Sequence, residues 1–208
     1  QSEKSPEARA ALTRLVLEVF ARVSTGDLAR IHALWVLDGA DEGRSVQSAI
    51  LAGLKDPSLA VRRQVIRYVG LRRVAESWRT LMPQLWHEDA SIRRAVATAM
   101  GRMGDMPSGQ RILASLDDSD LFARHAKFTA LNRIGRRDPG LWNHIVRRLE
   151  TERTDLRETA RFALRETFDL QLLDRLTAAV QDVHRSIAAR EAALDLVAAM
   201  PVNQAMGR

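Results

Sequence analysis

Cysteine is absent from all 208 residues, which removes disulfides, thiolate metal sites and a cysteine nucleophile from consideration. The absence does not fix a redox compartment, because a well-packed helical stack needs no covalent staple in either. Aromatic side chains make up only 5% of the chain, so a core must be built mainly from aliphatic residues. Lysine occurs only at positions 4, 55 and 127. No stretch approaches the roughly 20 consecutive apolar residues that span a bilayer, and no charged–apolar–small signal pattern opens the chain. Sustained period-two alternation is missing as well, so no sheet is expected. The chain begins at Gln1 without an initiator methionine, and the expectation is a single domain over residues 1–208, excised from a longer protein.

Alanine, leucine and arginine dominate instead, side chains that lose little rotamer freedom in a helix. Hydrophobic residues reach 46% and charged residues 28%, the balance of a folded chain rather than a disordered one. The formal charge is +6, but 26 acidic residues are interspersed among 32 basic ones. Such mixing dilutes the field, so charge alone says little about the partner.

The strongest pattern is a recurring arginine at Arg30, Arg62, Arg93, Arg124, Arg157 and Arg190, with spacings of 32, 31, 31, 33 and 33. Val61-Arg62-Arg63-Gln64-Val65 aligns with Ile92-Arg93-Arg94-Ala95-Val96, and Met100-Gly101-Arg102-Met103-Gly104 with Leu131-Asn132-Arg133-Ile134-Gly135. A period near 30 residues marks a repeat architecture in which no unit buries its apolar face alone. Capping signals such as Ser5-Pro6, Asp56-Pro57 and Asp138-Pro139 punctuate the chain. The spacing predicts helices over 7–23, 27–38, 44–55, 58–71, 75–87, 90–103, 108–116, 120–135, 139–150, 154–168, 170–181 and 185–199. Pro83 falls inside one of them and should kink it.

An aspartate followed six residues later by arginine, then spaced aliphatic residues ending near glycine, resembles the short bacterial HEAT repeat. Asp56, Arg62 and Gly70, with Asp118 and Arg124, carry the resemblance best. It implies an all-α, right-handed α-solenoid of about six HEAT-like helix pairs, second helices on the concave face. A narrower stretch, Ala29-Arg30-Ile31-His32-Ala33-Leu34-Trp35-Val36-Leu37-Asp38-Gly39 with Leu54-Lys55-Asp56-Pro57, is similar to the HEAT segment of large exported planctomycete-type proteins. In those a sugar-dehydrogenase-like propeller precedes the repeats and a c-type cytochrome follows. That resemblance implies an exported or periplasmic location; without it a cytoplasmic one is expected.

The arginine ladder is expected to be architectural, each guanidinium pairing with an aspartate such as Asp56 or Asp118 and tethering successive units. Tryptophans are expected to pack between helices, with Trp86 beside His87 the one to examine for exposure. The five histidines never come at the spacing that places two on one helix face as metal ligands. His87-Glu88 resembles the His-Glu pairs of HEAT-fold di-iron hydroxylases, but those need several such pairs and this chain has one. No metal and no cofactor is expected, and no catalytic set of hydroxyls or carboxylates stands out.

The resulting expectation is a non-enzymatic protein-interaction or scaffold module. It would bind a partner, or neighbouring domains of its parent chain, through Arg79, Gln84, Trp86, His87, Gln110, Arg111, Asn143, Arg147 and Arg175. One alternative is a nucleic-acid-binding solenoid related to DNA glycosylases; a second is a chromophore-lyase-like subunit.

Overall fold

The computed structural model describes residues 5–152, 154–165 and 169–200. Among the described residues every regular element is helical: α1 Pro6–Ala21, α2 Asp27–Asp41, α3 Gln47–Ala52, α4 Leu59–Arg72, α5 Trp78–Leu81 and α6 Ala90–Met103. They continue with α7 Met106–Ala114, α8 Leu121–Arg137, α9 Gly140–Arg147, α10 Thr154–Arg165, α11 Leu170–Gln181 and α12 Ile187–Ala199. The expected end of the tenth helix, residues 166–168, lies outside the described residues.

Short polar side chains start the helices. Ser5, Ser58, Asp105, Asp120, Asp169 and Ser186 each accept a hydrogen bond from an amide in the first turn that follows, satisfying donors that have no partner inside the helix. Asp89 does the same for α6, accepting from the Ser91 and Ile92 amides at 2.8 and 3.2 Å. The Ser91 hydroxyl, with those amides, holds the Asp89 carboxyl below the ordinary carboxylate range. Pro83 lies where α5 passes into the tighter turns of Met82–Trp86. The same tightening occurs at Gly53–Lys55 and Arg148–Glu150, where no proline is present, so it belongs to the repeat rather than to the ring.

The chain divides into two compact units, Gln1–Ala99 and Met100–Arg208. In the first, α1 packs on α2 and α2 on α4, closing over Phe20, Leu34, Leu37, Ile50, Val61, Val65 and Ile66. In the second, α7 packs on α8 and α9, α9 on α11, α10 on α8 and α12, and α11 on α12. Ile112, Leu131, Ile134, Trp142, Ile145, Leu172 and Leu176 form its interior. In the second unit the ladder-bearing helices α8, α10 and α12 thus stack in series, and so do α7, α9 and α11, as a helical repeat requires.

Glycine makes part of that stacking possible. A Cβ on Gly70 would lie 2.6 Å from the Ala99 backbone, and one on Gly101, 31 residues on, would lie 2.7 Å from the Ala130 backbone. Backbone cannot swing away as a side-chain tip can. Gly101→Ala is therefore expected to cost about 1–3 kcal/mol of overpacking, reduced by about 1 kcal/mol of helix propensity. Chemical denaturation tests this, and a variant more stable than the parent would refute the close approach.

Candidate polar face of the second unit

The ladder arginines do not share one set of contacts. Arg30 is buried and binds Asp56 with both terminal nitrogens, Nη1 at 3.1 Å, while its Nε donates to the Phe20 carbonyl at 2.9 Å. Arg190 repeats the carbonyl contact, its Nε donating to Val180 at 2.8 Å, also ten residues back. Arg93 donates to the His87 and Glu88 carbonyls at 2.7 and 2.8 Å. The Nε atoms of Arg62 and Arg124 are buried with no hydrogen-bond partner among the described residues. Arg157 is half-buried on α10.

In α8 a residue that the sequence reading passed over takes the buried position. Lys127, one turn beyond Arg124, is 1% exposed; its ammonium lies 2.8 Å from the Asp118 carboxylate and donates to the Ser115 carbonyl. Asp118 therefore pairs with Lys127, not with Arg124. The signal was available: Lys127 is the one lysine on the apolar face of a ladder helix.

His87 also resolves. Asp56 accepts the Ser58 amide at 2.9 Å, and Asp118 accepts the Asp120 amide at 3.0 Å. His87, 31 residues from each, accepts the Asp89 amide on Nδ1 at 2.9 Å. The ring nitrogen does there what a carboxylate oxygen does in the neighbouring repeats, so His87 shapes a turn. Among the described residues no three histidine, aspartate or glutamate side chains group as a metal site.

Trp35 departs from the expected packing, whereas Trp86 is exposed as its choice for the binding face requires. Trp142 is 1% exposed, but Trp35 and Trp86 are 49% and 54% exposed. Trp35 lies edge-on to His32 with centroids 4.9 Å apart and donates to Gln64 at 3.4 Å, so it bridges the outer surfaces of α2 and α4 rather than entering the interior.

The remaining candidates separate by unit. In the first, Arg79 stacks over Trp78 at 5.4 Å, and Gln84 donates back to the Thr80 carbonyl at 3.4 Å. In the second, the structure brings several together on α7, α9 and α11. Gln110, Asn143 and Arg175 occupy matching positions at spacings of 33 and 32, and Arg111 stands exposed beside Gln110 on α7. Gln110 Nε2 meets His144 Nε2 at 3.4 Å, and Arg175 donates to Asn143 Oδ1 at 2.9 Å.

A cleft of about 260 Å³ opens here, lined by Asn143, Arg147, Arg175, Ala178, Asp182 and Arg185 among others. Arg185 is engaged by Glu150 and Asp182. Arg147 and Arg175 form no ion pair among the described residues, and Arg175 keeps a buried Nε without an acceptor. The face therefore offers two guanidinium groups, an amide and an imidazole, a donor-rich arrangement suited to a carboxylate. The sequence predicts Arg185 as the first residue of the last helix; the structure starts α12 at Ile187, which leaves Arg185 in the turn after α11, where it reaches Glu150.

Residues 47–132 match the family of HEAT repeats. Human deoxyhypusine hydroxylase, in complex with glycerol, has a similar fold: TM-score 0.54 at 15% identity, covering 94% of this chain and 88% of that one. The complex of CpcE and CpcF of phycocyanin lyase from Nostoc sp. PCC7120 is a weaker likeness, with TM-score 0.47, 17% identity and 95% coverage of both chains. No curated protein matches. The comparisons give no support to an origin in exported planctomycete-type fusion proteins.

Together with the helical architecture, the HEAT-repeat match and the likeness to deoxyhypusine hydroxylase establish an all-α, HEAT-like repeat fold. They correct one expectation. The sequence alone predicts a non-enzymatic scaffold, yet deoxyhypusine hydroxylase, an enzyme, carries this kind of fold. Chemistry resides in side chains mounted on a fold, so the fold does not exclude it. Among the described residues no helix is long and apolar enough to cross a membrane.

Proposed function

We propose that the chain is a protein-interaction module whose second unit receives an acidic segment of a partner on the face formed by α7, α9 and α11. The observation that carries this reading is the pair Arg147 and Arg175, without ion pairs among the described residues, at the rim of a cleft that also presents Asn143. HEAT repeats generally mediate protein interactions, which supports a polypeptide occupant. Arg111 extends the basic character along the same face, with Asp174 its exposed acidic counterweight. A carboxylate seated between two guanidinium groups gains charge-assisted, bidentate hydrogen bonds that a lone surface pair does not provide.

The test is binding of a dye-labelled hexaglutamate peptide to the full chain. Arg147→Glu with Arg175→Glu is expected to weaken it at least about tenfold, the loss of roughly 1.4 kcal/mol, while Arg133→Glu on α8 leaves it unchanged. Equal binding by the double variant would defeat the assignment. So would submicromolar binding of duplex DNA with a steep salt slope, which would move the reading to nucleic acid.

A further inference from the structure

The opposite set of helices in the second unit carries a larger cleft, about 530 Å³, between α8, α10 and α12. Its lining includes Arg124, Phe128, Glu158, Arg161, Phe162 and Asp195, with Arg165 at the end of α10. None of these was chosen from the sequence as a binding residue, although Arg124 was placed in the structural ladder.

Three features define what would occupy it. First, Phe128 and Phe162 form a tilted ring pair with centroids 4.7 Å apart, and Phe162 remains 51% exposed. A large ring held half in water beside a second ring offers a platform for a third, in the offset or edge-on geometry aromatic groups prefer.

Second, the charges do not cancel. Arg161 is held by Glu158 at 3.3 Å and Asp195 at 2.8 Å. That leaves Arg124 and Arg165 with no ion pair among the described residues. Lys127 fills the buried position beside Asp118 and the Ser115 carbonyl, so Arg124 is not drawn there. Its Nε is buried without an acceptor, as is that of Arg62 at the same ladder position, so what Arg124 offers the cleft is the outer end of its guanidinium group.

Third, the Glu158 and Asp195 carboxylates are 56% and 63% exposed at the cleft. They would repel a polyanion such as nucleic acid while tolerating a single carboxylate paired with Arg124.

We infer that this cleft is a second binding site, for a peptide segment presenting an aromatic side chain beside a carboxylate. The ring stacks on Phe162 and the carboxylate accepts from Arg124. The site is independent of the α7, α9 and α11 face and stands or falls separately from it.

N-acetylphenylalanine carries both groups, N-acetylphenylalanine amide only the ring, and acetate only the charge. Titrated into isotope-labelled full chain and followed by amide chemical shifts, the acid is expected to bind about tenfold more tightly than either fragment. Arg124→Gln should bring the acid down to the level of the amide, and Phe162→Ala should weaken both. Arg175→Gln, on the other face, should change neither. Should Phe162→Ala lose its dispersed spectrum, Phe162→Leu preserves bulk and removes only the ring. Equal binding of acid and amide would overturn the inference, as would an Arg124→Gln variant that retains the parent affinity.

Discussion

Replacing Lys127 with methionine is expected to lower the stability of the second unit by about 3–5 kcal/mol, the range seen when one partner of a buried ion pair is removed. Methionine preserves the volume and the apolar stem, so packing changes little and the loss isolates the charge. Lys127 is 1% exposed and Asp118 5%, so water does not replace the ammonium that lies 2.8 Å from the carboxylate. The Ser115 carbonyl loses its donor from Lys127 in the same step. Asp118→Asn added to Lys127→Met should recover much of the loss: the carboxylate charge is gone, and an amide oxygen still accepts from the Asp120 amide that now binds at 3.0 Å. Urea unfolding of the two single variants and the double closes a mutant cycle. A Lys127→Met variant within about 1 kcal/mol of the parent would mean that the pair is solvated, below what breaking a buried pair costs.

A comparable loss, about 3–5 kcal/mol, is expected in the first unit from Arg30→Met. Arg30 is 2% exposed and satisfies three acceptors at once, both Asp56 oxygens and the Phe20 carbonyl. Asp56 also holds the Ser58 amide at 2.9 Å, so the same carboxylate ties α2 to the turn that starts α4. Arg30→Lys should rescue little, because a single ammonium lacks the planar fork that reaches a carboxylate and a carbonyl in different directions. Denaturant unfolding of the two variants separates these outcomes. If Arg30→Lys proved as stable as the parent, the fork geometry would have no role.

The two predictions concern residues of very different visibility. Arg30 announced itself through the repeat, because a structural demand that recurs every 31 to 33 residues leaves a periodic trace. Lys127 left none. It answers a demand met once, where α8 buries a cation that other ladder helices do not carry at that position. The expected pairing of each ladder arginine with an aspartate describes Arg30 and Asp56, yet Asp118 binds Lys127 instead. Sequence spacing fixes which residues share a helix face; it does not say which of two neighbouring cations, one turn apart, reaches a given carboxylate.

The candidate sites divide along the same line. Gln110, Asn143 and Arg175 were legible as a column because they fall at repeat spacing on helices whose opposite sides are apolar. Arg185 falls at the predicted start of the last helix, and only the structure shows it in the turn where it meets Glu150. The Phe128–Phe162 pair reads in the sequence as apolar core, and only the structure leaves Phe162 half in water. Trp35 misled for a related reason: a large apolar ring suits an interior, but α2 turns it outward.

What the sequence by itself determined is the helical-repeat fold, the number and order of its helical segments, and the register of the ladder. The tightening of the segments at 44–55 and 75–87 into short α-helices flanked by tighter turns came from the structure. Helix caps and apolar periodicity are local or periodic properties, and a repeated unit states them several times over. Tertiary structure alone decided which charges are buried together, why His87 stands where other repeats have aspartate, and which arginines keep their donors unspent. Those depend on distances between side chains from different helices, a quantity that no one-dimensional pattern records. The arginine ladder shows both halves: its period was plain in the chain, and its chemistry differs from rung to rung because each guanidinium meets a different neighbour.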